Sequence, residues 1–89
     1  MAKFLAIHPV GSEMTVETGG PVAKAIKAQC TGDAYWRRSY YAPEAGALYC
    51  IWDATDADAI LEVLAKAAPD FPTEGPYSIE MDIHCEDFR

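Results

Sequence analysis

The stretch that most restricts the fold lies in the middle of the chain, where "AYWRRSYYA" and "ALYCIWDA" are two β-prone, aromatic-rich runs separated only by the turn residues of "PEAG". Two such runs so close together form an antiparallel hairpin, strands two and three. Helical patterns flank it. Upstream, Gly20-Pro21 suits a helix entry, because proline's missing N–H costs nothing at the first helical position, and helix one is expected from about Pro21 to Cys30. Val22, Ala25, Ile26 and Gln29 share one stripe of it, with Lys24 and Lys27 turned to water. Downstream, "TDADAILEVLAKAAP" places Thr55 as cap with Asp58 in capping-box position. Ile60, Leu61, Leu64 and Ala68 form its buried stripe, and Pro69 ends it.

A strand pattern lies outside each helix. "KFLAIH" is an apolar run stopped by Pro9 and Gly11, so strand one is Lys3 to His8. After the proline-rich "PDFPTEGP", the run "YSIEMDIHC" alternates Ile79, Met81 and Ile83 with Glu80, Asp82 and His84, which reads as a two-faced strand four. The order βαββαβ is that of an α+β, ferredoxin-like sandwich, in which two helices cover one face of a four-stranded antiparallel sheet ordered 4-1-3-2. With 89 residues the chain is one domain, 1–89, with little core to spare, and a homodimer is the natural way to cover leftover apolar surface.

Charge and composition exclude several classes of function. Fourteen acidic against seven basic side chains give a net charge of −7, the wrong sign for neutralising the phosphates of nucleic acid. No apolar run approaches the roughly 20 residues that span a bilayer, and "MAKFLAIHPVG" lacks the pattern of a signal peptide, so no membrane is expected and the cytoplasm is the expected location. Cys30, Cys50 and Cys85 are too few and too widely spaced for a disulfide framework or a paired Cys-x-x-Cys zinc site, and read as reduced thiols.

Across residues 35–68, "YWRRSYYAPEAGALYCIWDATDADAI" resembles a bacterial family of small ferredoxin-like domains that includes a nickel-binding protein. The resemblance rests on Trp36, the pair Ser39-Tyr40, Cys50, Trp52 and Ala54. It implies a dimeric α+β barrel, in which two open sheet faces pack around a central pocket, and it makes nickel a candidate cofactor.

Candidate chemistry gathers at few positions. On a continuous strand four, His84 and Cys85 point to opposite faces and cannot chelate one ion; Cys85 is expected inward with Ile79, Met81 and Ile83. The outward trio Glu80, Asp82 and His84 spans about 13 Å end to end, too far for a single ion. If Leu5 and Ile7 face the helices, then Phe4, Ala6 and His8 face the open side, beside Glu80 and, for one choice of pleat, Cys50 and Trp52. His8, Cys50 and Glu80 would then suit a borderline metal such as nickel or zinc. The same trio would equally serve as base, nucleophile and orienting carboxylate, or as no more than a half-buried histidine bonded to an acid.

Tyr35, Trp36, Tyr40, Tyr41, Tyr49 and Trp52 put more aromatic surface on one hairpin than the helix-covered face can absorb, and Arg37 and Arg38 are expected on opposite faces. The expected site is a pocket lined by His8, Trp36, Arg38, Tyr40, Cys50, Trp52 and Glu80 between the open faces of a homodimer. Its leading use is binding of a small ligand or a divalent metal. The alternatives are a cofactor-free enzyme of the dimeric barrel type, a monooxygenase or isomerase with His8 as base and Arg38 holding an anion, and a structural interaction module.

Overall fold

The computed structural model describes residues 1–88. Its elements are β1 (Ala2–His8), α1 (Val16–Gln29), β2 (Ala34–Ala42), β3 (Ala47–Ala54), α2 (Ala57–Ala67) and β4 (Glu74–Ser78), followed by a 3-10 turn at Cys85–Phe88. The strands form one antiparallel sheet ordered β2-β3-β1-β4, the ferredoxin-like arrangement. Phe4, Ala6, Ala34, Cys50, Trp52 and Ala54 of the sheet close a core with Ile26 of α1 and with Ile60, Val63 and Leu64 of α2. Among the described residues, no helix is long and apolar enough to cross a membrane.

The hairpin turns at residues 43–46, where Gly46 takes φ 66°, a value that favours glycine. Both helices start at places other than those expected. α1 begins five residues before Pro21, because Thr15 and Thr18 form a capping box: Thr18 N–H donates to Thr15 Oγ1 at 3.2 Å and Thr15 N–H to Thr18 Oγ1 at 2.9 Å. Threonine stands where the usual Glu or Gln would have marked the start, and Pro21 falls inside the helix. At α2 the cap is Asp56, which accepts from Ala59 N–H at 2.9 Å, and not Thr55, whose own N–H is committed to Asp33 O. Val63 takes the buried place expected for Leu61, which is exposed, so the stripe is 60, 63, 64 with Ala67 packed beside it.

The faces of β1 are the reverse of the expectation. Phe4, Ala6 and His8 are buried under the helices, and Leu5 and Ile7 lie on the open side. Apolar residues occupy both alternating sets of this strand, so period alone carries no sign. The partners decide it, since Phe4, Ala6 and His8 stand opposite Trp52, Cys50 and Leu48. A register shift between Trp36 and Arg38 acts likewise on β2. Before it Ala34 and Trp36 face the core, after it Ser39 and Tyr41 do, and Arg37 and Arg38 both reach the open side.

β4 is shorter and earlier than expected, Glu74–Ser78. Phe4 pairs with Ser78 and Ile79 N–H donates to Lys3 O at 2.9 Å, so β1, starting at Ala2, has no partner to offer much beyond residue 80. Residues 81–84 are therefore not in a strand, the alternating row Glu80, Asp82, His84 is not a sheet face, and Cys85 is exposed and not inward. Gly75 at φ 88° and the shift between Leu5 and Ile7 start the strand.

Candidate functional site: a cavity beneath helix α1

His8, Cys50 and Trp52 of the central strands, with Trp36 and Ser39 of β2, floor a cavity of about 340 Å³. Gly19, Val22 and Ala23 of α1 roof it; Met14 of the preceding loop and Phe71 of the α2–β4 connector close its sides. Small residues on both sides leave room for it, Gly19 and Ala23 on α1 and Ser39 and Cys50 on the sheet. The loop that forms one wall is tied down by Tyr41, whose hydroxyl donates to Gly11 O at 2.7 Å and accepts from Met14 N–H at 3.1 Å.

His8 is fully buried. Its Nδ1 lies 3.0 Å from Pro72 O and 3.1 Å from Thr73 Oγ1, and Phe71 packs on its ring with centroids 4.6 Å apart. A carbonyl only accepts, so Nδ1 carries the proton, and the Thr73 hydroxyl spends its own proton on Phe71 O. Burial lowers the His8 pKa, outweighing the backbone hydrogen bond to Pro72 that raises it, and the ring is neutral at pH 7. Nε2 is thus a lone-pair acceptor, and it has no partner. Trp52 Nε1–H, also buried, has none either.

The remaining polar groups are already paired. Trp36 Nε1–H donates to Ser39 Oγ at 2.8 Å and Ser39 Oγ–H donates to Cys50 Sγ at 2.8 Å. Burial pushes the Cys50 thiol up to about 11, against the pull of the Ser39 bond, so it stays protonated and is not an activated nucleophile. Neither Lys nor Arg lines this cavity.

Of the seven residues expected at one pocket, His8, Trp36, Cys50 and Trp52 share this cavity, on the helix side of the sheet. Arg38 and Tyr40 lie on the opposite, open face, where Arg38 Nη1 donates to Tyr40 OH at 3.2 Å. His8 and Arg38 therefore do not flank a common substrate. Glu80 is exposed at the Ala2 end of β1, about 20 Å along the strand from His8, because the chain runs antiparallel to β1 from Glu74 and reaches Glu80 only at β1's first residue. The expected His8, Cys50, Glu80 metal set does not converge. Among the described residues, no group of three or more His, Cys, Asp or Glu side chains is placed to hold a metal ion. The sequence reading missed Ser39, brought inward by the register shift, Phe71 in the proline-rich connector, and Gly19 and Ala23. The only signal for the last two was their small size on the sheet-facing side of α1.

The family model described as nickel responsive protein SCO4226-like matches residues 4–75. The chain belongs to that family. The crystal structure of SCO4226 from Streptomyces coelicolor A3(2) superimposes with a TM-score of 0.78 over 92% of this chain and 100% of that one, at 17% sequence identity. Such a likeness is one of fold. No curated protein matches the chain.

Proposed function

We propose that this SCO4226-like chain is a binding protein for a small, largely apolar molecule held in the cavity beneath α1. The carrying observation is a half-open space of about 340 Å³ beneath α1 with largely apolar walls, among them Val22, Ile26, Trp36, Leu48 and Phe71. Apolar walls around a space of this size favour a small apolar ligand by burying its surface. Ala23→Leu extends a side chain from the roof into the space while keeping a good helix former. Apolar aromatic probes should bind the wild type, detected by quenching of Trp36 and Trp52 fluorescence, and fail to bind the variant. Equal binding by both proteins would refute the reading.

The family's description as nickel responsive makes nickel a second candidate ligand. His8 and Cys50 line one cavity, but Glu80 does not join them and the thiol is held protonated. Stoichiometric nickel in protein purified without a histidine tag, lost in His8→Ala, would return the metal to the cavity and displace the small-molecule reading.

We further propose that two copies pair through their open sheet faces. Tyr40, Met81 and Ile83, at 57%, 75% and 65% exposure, surround a hollow that carries Lys3, Arg37 and Arg38 on the sheet and Asp82 on the C-terminal segment. Lys3 and Arg37 are paired with Asp53 of their own chain, and a two-fold-related copy would set its Asp82 against Arg38 across this mixed polar and apolar surface. Sedimentation should give a dimer that Tyr40→Glu converts to a monomer; a wild-type monomer at tens of micromolar would remove the proposal.

A further inference from the structure

We infer that residues 12–18 form a flap on the wall of this cavity, hinged at Gly11 and at Gly19-Gly20-Pro21 and latched by the Tyr41 hydroxyl, which opens to admit a ligand. This rests on the cavity being a binding site and assigns how it is entered. Packing is the first argument. From Gly11 to Thr18 every residue is exposed except Met14, which is half-buried and, with Glu13 and Thr18, lines the cavity. A segment with so few buried contacts opens at a small part of the cost of global unfolding.

The hinges are the second. Gly11 takes φ 88°, and its N–H donates to Gly46 O at 2.9 Å, which fixes this end to the hairpin turn. At the other end Pro21 is the sixth residue of α1, past the first turn whose N–H groups have no helical partner. It lacks the N–H that would bond Glu17 O, and its ring crowds that carbonyl. Gly19 and Gly20 before it are the weakest helix formers after proline. Beyond this point Val22 and Ile26 pack into the core, so α1 is anchored after the hinge and not before it. The latch is the third argument. Tyr41 OH donates to Gly11 O and accepts from Met14 N–H, so one side chain of β2 holds both the hinge and the flap. The capping box of Thr15 and Thr18 lies within the flap and lets its turn move as a unit.

Amide hydrogen exchange of the ligand-free protein reads the flap directly. Relative to their intrinsic rates, Met14 N–H and Gly19 N–H, the latter bonded to Thr15 O, should exchange at least about a hundredfold faster than Ile26 N–H. Tyr41→Phe should speed both by roughly fivefold, the scale of one hydrogen bond, and leave Ile26 unchanged. Gly19 N–H is not bonded to Tyr41, so its response reports movement of the whole segment. Pro21→Ala, at an exposed position, should slow Gly19 exchange at least about tenfold. Stopped-flow quenching of tryptophan fluorescence by nitrobenzene should show faster entry into Tyr41→Phe, and slower entry into Pro21→Ala, than into the wild type. Equal protection of Met14, Gly19 and Ile26 would overturn the flap, and a Tyr41→Phe effect confined to Met14 would overturn the latch. Entry rates equal in all three proteins would overturn the gating and leave the cavity reading standing. No saturable quenching in any of them would overturn the cavity reading, and the entry route with it.

Discussion

Acidification should destabilise the fold through His8, and the sign follows from its surroundings. Burial lowers its pKa below the ordinary 6.5, so between 6.5 and the folded value the unfolded chain binds a proton that the native chain does not. Stability is then fully present above about pH 6.5 and falls as the pH drops toward the folded pKa. The slope attributable to one such group is at most about 1.4 kcal/mol per pH unit. The physical origin of that loss is that protonation turns Nε2 from an unmet acceptor into an unmet buried donor carrying charge. Cys50, the other buried ionisable group of the cavity, remains a thiol throughout this range and contributes nothing. Urea unfolding at half-unit steps from pH 7.5 to 5.0 measures the slope, and His8→Asn, which cannot titrate, supplies the reference for every other group. The wild-type curve should fall away from the variant's below pH 6.5. Parallel curves would refute the buried, neutral state of His8 and the tautomer argued from it.

Gly75→Ala should destabilise by at least about 1–2 kcal/mol, seen as a lower denaturation midpoint, because its φ of 88° disfavours a side chain and a Cβ there would meet Tyr77 N at 2.8 Å and Leu5 O at 3.1 Å. Gly11→Ala, also at φ 88° but with nothing within 4 Å of the added Cβ, should show a smaller loss; a larger one would contradict the contact argument. Among the thiols, exposed Cys85 should react with a disulfide reagent at pH 8 far faster than buried Cys50, whose pKa is pushed up to about 11; mass mapping of labelled Cys50 at early times would count against its burial.

Local signals carried the sequence of elements. Gly46 and its neighbours turn the hairpin, Pro9 and Gly11 stop β1 at His8, and the change between two-residue and helical periods separates strands from helices. These are properties of short segments, so the βαββαβ order and the family resemblance were open to a reader of residues alone. The grouping of His8, Trp36, Cys50 and Trp52 about one space was legible too, since they are the polarisable and aromatic groups of β1, β2 and β3.

What tertiary structure alone decided was direction. In β1 the sets Phe4–Ala6–His8 and Leu5–Ile7 are both suited to burial, and only pairing with Leu48, Cys50 and Trp52 under the helices selects the first. A single register shift turns Arg38 and Tyr40 away from Trp36 and brings Ser39 in. The end of β1's register, not the alternating Ile79, Met81 and Ile83, terminates β4 and leaves Glu80 far from His8. Each is a long-range outcome in which a strand's period is satisfied equally by two arrangements, and the free energy of packing against distant residues selects one. The candidate site is thereby moved from the open face of the sheet to the space beneath α1.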